Sequence, residues 1–261
     1  MSSLFDYKER MQENPKSKYG FIIVTLFLLW LFLPNYNGFI KSCYWANNFF
    51  YKVSKYMHLN DTPEYIHYRN NAVYLVQVYP KNPVPVYKEI DKAIASYTGN
   101  TESDSYSMLC RDSAVIKLYY GDKKGALADL MSIKKRDSND NFRIAILLTE
   151  ELKYKEAETY CKMILSRNYK SLSGYVCLAN VYEKSGDIAT AMRLYNYLAE
   201  LRPNNEAVFI ERSYFKKRTG DEKGAAEDIS NAKSIYSHAQ IDGISILEKA
   251  VNIEKLPLSI T

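Results

Sequence analysis

Histidine is scarce in this chain of 261 residues: His58, His67 and His238 are the only three, and none sits in a helical H-E-x-x-H arrangement that would place two imidazoles on a zinc ion. Glycine is sparse as well, at 10 residues, and neither a Gly-rich dinucleotide fingerprint nor a Walker lysine loop occurs. The four cysteines, Cys43, Cys110, Cys161 and Cys177, form no C-x-x-C pair, so a metal or redox motif is unsupported. Net charge is small at +5, and it is uneven. Met1 to Lys41 holds five basic and three acidic residues, which leaves 30 against 27 in the remainder. A near-neutral body lacks the concentrated basic face of a nucleic-acid-binding protein, so no nucleic-acid partner is expected. These absences argue against an enzyme and imply neither cofactor nor metal. No strand-like alternation competes with helical periodicity anywhere along the chain.

Length and a 47% hydrophobic content are ample for a folded core without staples. Residues 21–33 read FIIVTLFLLWLFL, and Tyr19, Trp30 and Tyr36 stand where an interfacial aromatic belt would lie. Counting from Tyr19 to Tyr36 reaches the lower limit of about 17 residues for a bilayer span. No A-x-A cleavage box follows, no lipoprotein box precedes Cys43, and an apolar surface on every side is poorly suited to a buried soluble helix. The expectation is therefore a cytoplasmic tail over 1–18 and an uncleaved membrane anchor over 19–40. Lys8, Arg10, Lys16 and Lys18 precede the run while only Lys41 follows closely. By the positive-inside rule the body would then be periplasmic, in a bacterial inner membrane.

The strongest internal signal is a period. Ala157, Ala191 and Ala225 recur at intervals of 34 residues, each behind an aligned turn segment: Leu152-Lys153, Gly186-Asp187 and Gly220-Asp221. In the best unit Tyr175, Leu178, Ala179 and Tyr182 mark a first helix, Ala191 and Tyr195 a second, and Pro203 its end. The small residues let two backbones approach, and the glycine supplies a permissive turn. This pattern resembles the tetratricopeptide repeat. The resemblance implies an all-α solenoid of helical hairpins, right-handed, preceded here by the single anchor helix. Units are expected at about 107–137, 138–171, 172–205 and 206–239 within an array over 101–239. Two departures are plain: Leu152-Lys153 replaces Gly-Asp at one turn, and Tyr169 stands where proline is expected. Residues 41–100 form a helical, Tyr-rich connecting or capping region, with helices expected over Ser42–Leu59, from Thr62-Pro63 to about Tyr79, and from about Val86 to Tyr97. Residues 240–261 are expected to supply a closing helix, amphipathic through Ile241, Ile244, Leu247 and Val251, and a tail.

Cys110, Cys161 and Cys177 fall at or beside packing positions and read as small buried apolar residues. A Cys161–Cys177 bridge between adjacent repeats is conceivable, with geometry to decide it.

The resemblance further implies protein recognition by the concave face, lined by the first helix of each unit. The groove positions are then Arg111, Val115 and Tyr119; Phe142, Ile146 and Glu150; Val176, Asn180 and Lys184; and Ile210, Tyr214, Lys217 and Arg218. Such a groove has an apolar entry side and a basic end, suited to a peptide with apolar anchors and acidic character. The Lys and Asn of the chaperone-tail carboxylate clamp are not reproduced at these positions. The expected role is a non-enzymatic, membrane-tethered scaffold that binds protein partners in assembling a bacterial envelope complex. The alternative is a receptor on a eukaryotic organelle that binds targeting segments. Finally, Tyr44, Tyr51, Tyr56, Tyr65, Tyr68, Tyr74, Tyr79 and Tyr87 crowd the region before the first repeat and suggest a second contact surface there.

Overall fold

The computed structural model describes residues 36–56 and 63–253. Among these residues every regular element is helical. The described residues divide into two compact units, 36–97 and 98–253.

In the first unit α1 spans Tyr36–Tyr56, α2 Glu64–Val78 and α3 Val84–Ala95, with α2 packed against both neighbours. Pro63 stands just before the first residue of α2, where its missing N–H costs nothing, and Pro83 does the same for α3. Thr62, expected as a cap, lies outside the described residues.

The apolar run at 21–33 also lies outside them. What is described of the expected anchor, residues 36–40, is the start of α1, which continues through Lys41, Asn47, Asn48, Lys52 and Lys55. At 21 residues α1 has the length for a span but not the composition. Among the described residues no helix is both long and apolar enough to cross a membrane. The single-pass placement with a periplasmic body is corrected on this finding.

The second unit is a series of antiparallel hairpins: α4 (Asp104–Tyr119) with α5 (Lys123–Ser132), α6 (Ser138–Glu150) with α7 (Tyr154–Arg167), α8 (Leu172–Lys184) with α9 (Ile188–Leu201), and α10 (Glu206–Arg218) with α11 (Glu222–Ile235). The starts of α6, α8 and α10 are 34 residues apart. Turn chemistry sets each hairpin. Gly121, Gly186 and Gly220 hold φ of 79°, 94° and 88°, a region open to glycine at little cost. The aspartate after each one caps the second helix: Asp122 accepts from the Gly125 amide, Asp187 from Thr190 and Asp221 from Gly224. First helices begin on side-chain caps as well, at Ser103, Asp137, Ser171 and Asn205.

Small residues lie where the helices cross. Ala114, Ala145 and Ala179 on first helices, and Ala126, Ala157 and Ala191 on second helices, are fully buried. Large apolar groups fill the space beside them, among them Leu130, Ile144, Leu147, Ile164 and Tyr195. Truncating any of these aliphatic groups to alanine would cost about 2–5 kcal/mol, because the close-packed surroundings collapse only partly. Cys161 and Cys177 are bonded, which ties α7 to α8 across two successive hairpins with their Cα atoms 5.7 Å apart. Cys110 is a buried free thiol.

The last helix departs from expectation. Gly243 holds φ of 78° and breaks the amphipathic stretch, and Ile244 stands exposed. Only Ile246–Val251 is helical, as α12. It packs against α6 and α8, first helices of internal hairpins, rather than closing the end of the array.

Candidate functional site

The face made by the first helices is where the expected groove residues fall, and α12 lies on it. Leu247, Ala250 and Val251 join the same buried cluster as Phe142 and Ile146 of α6. A cavity of about 160 Å³ remains between α12 and the array, bordered by Ile146, Glu150, Asn180, Lys184 and Arg218 on the array side. A second, of about 290 Å³, lies against Arg111, Asp140, Phe142 and Arg143 on one side and Ile246, Lys249 and Ala250 on the other.

The docking is specific at two places. The Ile246 amide, at the start of α12 and without an intrahelical acceptor, donates to Glu211 Oε1 at 3.0 Å. Tyr214 Oη accepts from the Gly243 amide at 3.2 Å and donates to Asp242 Oδ1 at 3.4 Å, which holds the incoming loop on α10. Ser245 and Glu248 then form a reciprocal capping box, the Ser245 hydroxyl accepting from the Glu248 amide and the Glu248 carboxylate from the Ser245 amide. Burial of Glu211 pushes its carboxyl up to about 7.

The thirteen expected groove residues divide accordingly. Phe142, Ile146, Glu150, Asn180, Lys184 and Arg218 surround α12, Tyr214 holds its tether, and Arg111 borders the second cavity. Val115 and Val176 are buried core residues. Tyr119 and Ile210 are half-buried, and Lys217 is exposed. Pairing also changes the expected charge. Arg218 makes a two-pronged ion pair with Glu183, both contacts at 2.9 Å, so its charge is balanced, while Lys184 and Lys217 stay exposed. Arg111 is held likewise by Asp140 at 2.8 and 2.7 Å, with Asp137 at 3.3 Å. Glu150 pairs with Lys123 at 3.0 Å.

Glu211 was absent from the expected groove, as was the terminal helix. The motif Ser245-x-x-Glu248 ahead of Ala250-Val251 is a legible helix-start signal, but nothing local to it specifies the face that receives it.

In the first unit most of the tyrosines are used in packing. Tyr51 stacks on His67 with centroids 3.8 Å apart, and Tyr65 meets Tyr97 edge-on at 5.0 Å. Tyr68 donates to Glu64 at 3.2 Å. Tyr56 and Tyr79 are the exposed members of the eight. His67 lies in a buried polar network, with Asn47 Nδ2 3.3 Å from its Nδ1, and Asn48 Oδ1 and Asn71 Nδ2 at 3.2 and 3.3 Å from its Nε2. Asn71 links the network to Glu89, its Nδ2 donating to Oε2 at 2.9 Å. Burial pushes the imidazole pKa below its ordinary value, which favours the neutral ring. Among the described residues no group of three or more His, Cys, Asp or Glu is placed to hold a metal ion.

No known family profile matches the chain, and no curated protein does. The solved structures it is similar to include tetratricopeptide repeat proteins. One, from Parabacteroides merdae, is 16% identical, with 94% of this chain and 98% of that one covered at a TM-score of 0.49. MamA from Desulfovibrio magneticus is 13% identical, with 68% and 98% covered at 0.49. YrrB, a tetratricopeptide repeat protein with an unusual peptide-binding site, is 14% identical, with 74% and 94% covered at 0.46. The repeat architecture of this chain rests on its own hairpins and their 34-residue spacing.

Proposed function

We propose that the chain is a non-enzymatic scaffold that binds a partner protein through the face made by α4, α6, α8 and α10. One observation carries this reading: that face already holds a peptide segment, α12, by burying Leu247, Ala250 and Val251 and by accepting a backbone hydrogen bond at Glu211. A surface that orders six residues too short to be helical alone is a peptide-binding surface in the physical sense. Phe142 and Ile146 supply the apolar contact, and Asn180, Lys184 and Glu150 the polar margin. The envelope setting expected from the apolar run loses its basis with the corrected membrane placement and is not part of the proposal.

Selection of a displayed library of short peptides against the full chain tests the reading. Binders should lose at least tenfold in affinity when Phe142→Ala is combined with Ile146→Ala, the two apolar contacts of the face, in protein whose helical circular dichroism is retained. Equal binding to both proteins would place recognition elsewhere.

A further inference from the structure

The segment seated on the face carries a pattern that can be read as a ligand specification. Ser245 is the cap, Leu247 is buried at the second helical position, and Ala250 and Val251 are buried three and four residues later. Glu248 and Lys249 are exposed. The face itself supplies Glu211, whose Oε1 accepts the first helical amide.

The resident segment fits imperfectly, in two respects. Glu211 Oε2 is buried with no hydrogen-bond partner among the described residues, so the segment leaves half of its anchor unsatisfied. Beside the segment a solvent-open pocket of about 160 Å³, bordered by Ile146, Asn180, Leu247 and Val251, leaves room for further side chains. The segment's advantage is the tether. Residues 236–244 join it directly to α11, and a short link of this kind gives an effective concentration in the millimolar range.

We propose, building on the groove reading above, that the ligand of this face is a short helix with a Ser or Thr cap, an apolar residue at the second helical position, a small residue three later and an apolar one after it. Residues 245–251 are then the chain's own displaceable copy of that ligand. A partner helix wins by offering a second hydrogen-bonding group to Glu211 and bulkier side chains to the pocket, and its apparent affinity is reduced by the fraction of chains whose face is occupied.

The test uses a fluorescently labelled peptide of residues 241–253 and the full chain. Leu247→Asp in the chain removes the buried anchor of the resident segment. The peptide should bind that variant at least tenfold more tightly than it binds the unaltered chain. Ile246→Pro tests the Glu211 contact itself. Proline is accepted at a first helical position, and Ser245 already has the extended backbone (φ −72°, ψ 162°) that proline requires before it, so the helix survives while the amide is lost. The same peptide carrying this change should bind the Leu247→Asp chain at least tenfold more weakly. If Leu247→Asp lowers the helical signal, Ile246→Pro placed in the chain is the alternative way to free the face. Equal binding to the unaltered and freed chains overturns the resident-competitor inference and leaves the groove reading intact. Absence of binding to a freed, folded chain overturns the ligand pattern, while library selection still judges the groove independently. A dimer of the unaltered chain that becomes monomeric on Leu247→Asp would assign the face to a second copy and overturn the inference too.

Discussion

Leu152 occupies, in the turn between α6 and α7, the place that Gly186 occupies 34 residues later, and it does so with a left-handed backbone, φ 61° against 94°. It is the one non-glycine residue with positive φ among those described. The turn closes as its glycine counterpart does: the Lys153 amide donates to the Leu148 carbonyl at 2.9 Å, just as the Asp187 amide donates to Tyr182 at 2.8 Å.

A left-handed non-glycine residue costs roughly 1–2 kcal/mol, and glycine recovers that at an entropic cost of roughly 0.5–1 kcal/mol. The Leu152 side chain is largely exposed and contributes little burial. Leu152→Gly should therefore stabilise the protein by about 0.5–1 kcal/mol in urea unfolding. Lys153 makes no side-chain cap, unlike Asp187 and Asp221 in the equivalent turns. Adding Lys153→Asp should contribute about 1 kcal/mol more.

The Cys161–Cys177 bond closes a loop of separation 16. On the chain-entropy account such a loop is worth about 3 kcal/mol. Replacing both cysteines by alanine, or adding reductant, should shift the denaturant midpoint downward by an amount equivalent to about 2–4 kcal/mol. Equal midpoints with and without reductant would count against the bond.

The two units should respond to acid in opposite directions. Glu211 has its carboxyl raised to about 7, so the folded state holds a proton that the unfolded chain releases above about 4.5. Its contribution is fully present below about 4.5 and is lost as pH rises through about 7. Lowering pH from 8 toward 5 should thus increase amide protection in α10 and α12, and Glu211→Gln should flatten this dependence. His67 is shifted the other way by burial, its pKa lowered from the ordinary 6.5. Protonation would put an N–H on Nδ1 opposite the Asn47 donor. Stability from His67 is complete above about 6.5 and falls as pH drops below it, so protection in α2 should decline over the same acid range. Hydrogen exchange corrected for intrinsic rates reads both effects in one experiment.

Asn141 of α6 is fully buried, and neither of its side-chain polar atoms has a partner among the described residues. A buried unpaired polar group costs about 1–3 kcal/mol. Asn141→Val, close in volume and apolar, should raise stability by about 1 kcal/mol after the small helix-propensity loss of a β-branched residue. Thermal unfolding of the purified variant checks it.

The sequence by itself determined the hairpins. Their helix starts, their Gly-Asp turns and the alanines at 157, 191 and 225 are local features, each acting within one 34-residue unit on backbone conformation or on the nearest helix. The pairing of Phe142 with Ile146 was legible for the same reason, since four residues' spacing sets both on one face of α6. Tertiary structure decided the rest. Leu152 takes a glycine's backbone because the α6–α7 hairpin closes by the same turn as its neighbour, and Cys161 meets Cys177 because two repeats stack. The charge of Arg218 is balanced because Glu183, 35 residues away, faces it across adjacent hairpins. Residues 245–251 read locally as a helix start and could have closed the array's end. Only the folded array, by bringing Glu211 beside the buried surface of Phe142 and Ile146, gave that segment a place on the inner face.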